Sequence, residues 1–129
     1  MREMDVEAWL RYARDDLESA RVSLEGTLFS RACFACQQVA EKALKAYLIK
    51  TTGNYPRIHS LVDLLNLAQA TDSSLDELKS HCETLDEYYL PIRYPSARPA
   101  EDVGRQEAET AIELARGLLA AVQDRTAKS

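Results

Sequence analysis

Apolar residues return at three- and four-residue spacing along most of the chain, which predicts helices. Few β-branched runs and many Ala, Leu, Glu and Arg residues favour the same all-α class. The pattern is organised around Arg31 to Lys50, RACFACQQVAEKALKAYLIK. Cys33, Cys36, Ala40, Ala43 and Tyr47, joined by Val39 and Leu44, give this stretch a wide apolar face. Five alanines (Ala32, Ala35, Ala40, Ala43 and Ala46) make it thin and strongly helix-forming, so neighbours can approach from more than one side. It is the expected central helix. A second row, Phe34, Gln38, Glu41 and Lys45, flanked by Gln37 and Lys42, follows the same spacing on another face. Two readings fit it: a solvated face stiffened by the Glu41 to Lys45 pair at i,i+4, or a polar strip turned toward a partner subunit or ligand.

The other elements follow in order. Asp5 is placed to cap a first helix whose stripe is Val6, Trp9, Ala13, Leu17, Ala20 and Leu24, with Arg14, Glu18, Arg21 and Glu25 opposite and Gly26 as C-cap. The central helix starts between Leu28 and Arg31, with Ser30 as a candidate cap, and runs to Thr51, Thr52 and Gly53. A loop fixed by Pro56 leads to Ser60 and Asp63, at capping-box spacing before the short helix LVDLLNLAQA. Ser74 and Glu77 repeat that spacing before a fourth helix carrying Leu75, Leu78, Cys82, Leu85, Tyr89 and Ile92. Pro91, Pro95 and Pro99 then stiffen a loop. A last helix begins near Glu101 and Asp102, carries Val103, Ala108, Ala111, Ile112, Ala115, Leu118, Leu119 and Val122, and frays from Asp124. The expected fold is a five-helix, mostly antiparallel up-and-down bundle, four helices long and one short, filling residues 1–129 as a single domain.

Composition narrows the function classes. The 129 residues are 46% hydrophobic and 29% charged, an ordinary globular balance. A formal net charge of -5 argues against general nucleic-acid binding, which needs an excess of Lys and Arg. Apolar runs such as Ala32 to Cys36 are far short of a membrane span, and the charged start has no secretory core, so a cytoplasmic protein without membrane contact is expected. Three cysteines is an odd count that suits a reducing compartment. Cys33 and Cys36 form a C-x-x-C that His81 and Cys82 could nominally complete as a zinc set, but all three cysteines fit apolar rows and are expected as small buried residues. No metal or cofactor is expected.

Candidate chemistry is confined to a few residues. There is no Gly-rich phosphate loop, no G-x-S-x-G and no H-E-x-x-H. His81 falls on the row Ser74, Glu77, Thr84 and Tyr88, away from the core stripe, and is expected to be exposed. His59 stands immediately before a helix, two residues after Arg57, and reads either as a shaper of the helix entry or as an acid, base or phosphate contact. Arg93, Tyr94 and Arg98 lie in the proline-fixed loop. Arginine offers planar donors for phosphate and tyrosine a face for a base, although the same residues could simply close the bundle end.

Together these residues resemble a known family. Trp9 with Ala13, Asp16, Leu17 and Ala20, then CFACQQVAEKALKAYL from Cys33 to Leu48, then His59-Ser60-Leu61, and Tyr89 followed by Arg93-Tyr94-Pro95 are similar to a HEPN domain (higher eukaryotes and prokaryotes nucleotide-binding) over nearly the whole chain. The resemblance implies a five-helix bundle that often forms homodimers and, in bacteria and archaea, commonly accompanies a minimal nucleotidyltransferase. Some branches are metal-independent ribonuclease toxins marked by R-x(4 to 6)-H. Here Arg93 is followed at the required distance by Arg98, Pro99 and Ala100, with no histidine. The expectation is a non-catalytic dimeric module acting with a nucleotidyltransferase partner, with nucleotide or phosphate contacts at Lys42, Lys45, His59, Arg93, Tyr94 and Arg98. Phe34, Gln38 and Glu41 form the candidate partner or dimer face. The alternatives are a toxin-type ribonuclease, the one case in which nucleic acid would be a partner, and a purely structural dimeric adaptor.

Overall fold

The computed structural model describes residues 3–89 and 102–127, with side chains from Asp5 onward. Pro91, Ile92, Arg93, Tyr94, Pro95, Arg98, Pro99 and Glu101 lie outside the described residues. Five α-helices are present among the described residues: α1 (Glu3–Glu25), α2 (Phe29–Thr52), α3 (Leu61–Gln69), α4 (Lys79–Leu85) and α5 (Arg105–Ala127). No strand occurs among the described residues, as the helical periodicity predicts. α2 is central, packing against α1, α3, α4 and α5. Its alanine face is the physical reason, since Ala32, Ala40, Ala43 and Ala46 are fully buried and let neighbouring backbones come close.

α1 and α2 are joined by three residues, which forces an antiparallel pair. Asp5 stands inside α1, which already begins at Glu3, so it is not the cap. At the other end Leu28 N–H donates to the Ser23 carbonyl (2.8 Å) and Thr27 N–H to that of Leu24 (3.0 Å), the bond pattern of a Schellman motif. Gly26 takes the C-cap place, but the left-handed position beyond it belongs to Thr27, at φ 60°. Leu28 precedes α2 without a side-chain cap, and Ser30 lies within the helix. Gly53 ends α2 in the left-handed conformation at φ 82°, donating to the Ile49 carbonyl at 2.9 Å.

Ser60 caps α3 as its spacing predicts, accepting from Asp63 N–H at 3.2 Å. The carboxylate of Asp86 adds bonds from Leu61 N–H (2.7 Å) and Val62 N–H (3.1 Å), so the free donors of this short helix are largely used up. The fourth helical stretch is wound differently from a uniform α-helix. Ser73–Leu78 and Asp86–Tyr88 are 3₁₀ turns on either side of α4. The first is capped by Asp72, which accepts from Ser74 N–H, and not by the Ser74–Glu77 pair. Leu75, Leu78, Cys82 and Leu85 are buried as expected, but Tyr88 replaces Tyr89 as the next core residue. In a 3₁₀ turn residues three apart eclipse, so Tyr88 falls beneath Leu85 and Tyr89 is turned outward.

α5 starts at Arg105, later than expected, and its whole predicted stripe from Val103 to Val122 is buried. It does not fray at Asp124. Arg125 donates to Asp72 (2.9 Å), Ser74 Oγ (2.9 Å) and the Ala121 carbonyl (3.0 Å), tying the last turn to the first 3₁₀ segment. His81 is not exposed either: it is half-buried against α5, where a Cβ at Gly117 would stand 3.7 Å from its Nε2. All three cysteines are buried and free of disulfides. Burial, aided by Cys33, pushes the Cys36 thiol up to about 12, and burial beside Asp86 and Glu83 does the same to Cys82. No helix among the described residues is long and apolar enough to cross a membrane.

Candidate functional site

Gln37, Glu41 and Lys45 are each four residues apart and so stand on one face of α2. That face is not solvated. Gln37 is fully buried, Glu41 is 7% exposed and Lys45 5%, because α1 and the loop ahead of α3 cover them. Burying a carboxylate requires partners, and Glu41 has three. Lys45 Nζ donates to Oε2 at 2.9 Å, His59 Nδ1 meets the same oxygen at 3.1 Å, and Gln37 Nε2 donates to Oε1 at 3.3 Å. Burial alone would push the Glu41 carboxyl up, but the bonds from Lys45 and His59, the Lys45 charge and the Gln37 bond outweigh it and hold it below its ordinary value.

The surroundings are aromatic. The Lys45 ammonium lies 6.0 Å from the ring centre of Trp9 and 5.5 Å from that of Tyr55, and those two rings meet edge to face at 5.2 Å. On the outer side the His59 imidazole stacks on Tyr89, with ring centres 4.7 Å apart and planes 22° apart. Burial and the Glu41 charge raise the Tyr89 hydroxyl above its ordinary value. The His59 backbone is held as well, since Gln37 Nε2 donates to its carbonyl at 3.4 Å. Half of the His59 side chain remains exposed. The arrangement presents one histidine edge to solvent from a buried, charge-balanced base.

Of the predicted ligand residues, the structure brings Lys45 and His59 together through Glu41. Lys42 points elsewhere, pairing with Asp16 of α1 at 2.6 Å. Of the proposed partner face, Phe34 and Gln38 are half-buried, and Gln38 Nε2 donates to Gln37 Oε1 at 2.6 Å. Glu41 is interior. Arg93, Tyr94 and Arg98 belong to the segment outside the described residues, which follows directly on Tyr89 and Leu90. Two open clefts of about 450 and 440 Å³ lie along Val6, Leu10, Lys50 and Gln123 and along Tyr47, Thr71, Asp72 and Arg125, and none of the predicted site residues lines them. The sequence pattern overlooked the parts of Trp9, Tyr55 and Tyr89 in this site. Only the four-residue spacing of Gln37, Glu41 and Lys45 could have signalled it.

A family model for the HEPN domain matches residues 6–125. The crystal structure of TT1696 from Thermus thermophilus is 38% identical and superimposes with a TM-score of 0.83, covering 92% of this chain and 96% of that one. That of ST0689, an archaeal HEPN homologue, is 32% identical with a TM-score of 0.77, covering 94% of this chain and 97% of its own. A Methanocaldococcus jannaschii protein named "Putative toxin MJ1304" is 25% identical over 128 residues, 90% of this chain and 84% of that one.

Proposed function

The chain belongs to the HEPN domain family, and on that premise we propose that it is a non-catalytic, homodimeric binding module that works with a minimal nucleotidyltransferase. Its own contact with a nucleotide or phosphate runs through His59 and the Arg93 segment. The observation that carries this reading is the stack of His59 on Tyr89. Tyr89 stands four residues before Arg93 in the sequence, so the stretch bearing Arg93, Tyr94 and Arg98 follows closely in the chain on the residue that stacks on the histidine. A histidine, arginines and tyrosine rings are the groups that recognise phosphate and base. The overall charge of -5 makes such a local concentration of donors necessary for an anionic ligand.

Catalysis is left out of the proposal because no histidine follows Arg93 at ribonuclease spacing, and arginine does not shuttle protons near neutral pH. One observation favours a second reading, a toxin-type ribonuclease. His59 is oriented through Nδ1 by a carboxylate, as acid and base histidines often are. A single set of measurements separates the two. Calorimetric titration with ATP and with inorganic phosphate should show binding by the wild type that falls at least tenfold in Arg93→Ala and in His59→Ala, with melting temperatures little changed. RNA incubated without divalent metal should stay intact. A wild type that binds neither probe at millimolar concentration overturns the proposal, and metal-free RNA cleavage lost in His59→Ala establishes the second reading.

A further inference from the structure

We infer that Glu41 is the positioning residue of this site: it fixes His59 as the Nδ1–H tautomer and turns Nε2 outward to the ligand, while Lys45 serves to keep Glu41 charged inside the bundle. The inference rests on the reading of His59 as a ligand contact, and it assigns to Glu41 and Lys45 tasks different from direct binding.

Charge decides the first step. Glu41 and Lys45 form a closed pair at 2.9 Å, so the buried carboxylate is neutralised before His59 is considered. The imidazole can therefore stay neutral without leaving a buried charge uncompensated. An ionised carboxylate only accepts hydrogen bonds, so the 3.1 Å contact requires the proton on Nδ1. A neutral ring with its proton on Nδ1 carries its lone pair on Nε2.

Geometry decides the second. Three independent contacts remove the freedom of the ring. Glu41 fixes its inner edge, Tyr89 fixes its plane, and Gln37 holds its backbone carbonyl while Gln38 holds the Gln37 amide. What remains is the outer edge, on a side chain that is half exposed. The ionisable groups that the described residues bring to it are Glu41 and Lys45 from α2 and Tyr89, stacked on the ring, while Asp86 from the second 3₁₀ turn caps α3 just beyond it. Nε2 in this state accepts from an N–H or O–H of a nucleotide, and on taking up a proton it donates to a phosphate oxygen. Such preorganisation spares the ligand the entropy of ordering the ring.

The test reads the tautomer directly by two-bond nitrogen–proton NMR on the full chain at a pH where the imidazole is neutral. Wild-type His59 should show the Nδ1–H signature, the reverse of the Nε2–H form that free imidazole side chains prefer. The double variant Glu41→Leu with Lys45→Met removes the acceptor without stranding a charge, and should fold and revert to Nε2–H. A wild type in the Nε2–H form overturns the inference, as does a folded double variant whose tautomer is unchanged. If the tautomers behave as stated but neither ATP nor phosphate binds, the positioning role stands and the proposed function falls.

Discussion

Replacing Lys45 by Met tests the energetics of the buried pair. Both partners are more than nine-tenths buried, so solvent screens them little. Methionine keeps the stem of Lys45 against Trp9 and Tyr55 but removes the charge 2.9 Å from Glu41. Breaking one side of a buried pair costs about 3 to 5 kcal/mol. The lower figure applies here because His59 and Gln37 still donate to the carboxylate. For a domain of this length, about 3 kcal/mol lowers the melting temperature by roughly 10 °C. The loss also has a pH signature. Glu41 is held below its ordinary value in the folded wild type, so its contribution is fully present above the unfolded carboxyl value of about 4.3 and is lost as pH falls through the folded value. In Lys45→Met the stranded carboxylate is costly only while ionised, so the gap from wild type narrows as the pH falls from 7 toward 4. Urea unfolding followed by circular dichroism at several pH values measures this. The double variant Glu41→Leu with Lys45→Met should recover most of the loss, because two apolar side chains leave no buried charge. A loss below 1 kcal/mol at pH 7, a loss constant with pH, or a double variant weaker than the single refutes the argument.

Three further outcomes are expected. Gly117→Ala should stabilise the protein by about 0.5 to 1 kcal/mol, since a Cβ meets His81 only at 3.7 Å, whereas Gly53→Ala should destabilise it because φ is 82° there; thermal melts separate the two signs. Cys36 and Cys82, with thiols pushed to about 12, should react with a thiol reagent at pH 8 only after denaturation, and fast reaction in the native protein would contradict their burial. Light scattering at micromolar concentration should give about twice the chain mass of 14.5 kDa, and a monomer throughout that range would remove the homodimer from the proposed function.

The sequence by itself determined the helical class, the central position of α2 and nearly every buried stripe. Those properties follow from local periodicity: Val103 to Val122 and Leu75 to Leu85 recur at helical spacing and are buried as that spacing requires. Capping was legible at Ser60 and Gly53, and misread at Asp5 and Ser30, which stand inside their helices, and at Ser74, where Asp72 is the cap. Asp86 reaches across from the fourth helical stretch to cap α3, and Arg125 holds α5 in helix through Asp72. No local pattern encodes either contact. The site divides in the same way. His59 is conspicuous in the sequence, but whether a polar row on a helix is solvated or buried depends on what lies across from it. Glu41 and Lys45 satisfy an i,i+4 surface pattern and a buried ion pair equally well. Only the tertiary structure, by laying Trp9, Tyr55 and the His59 loop over that row, turned a solvent-type pair into the charged base of the site, because burial is a property of neighbours distant in sequence.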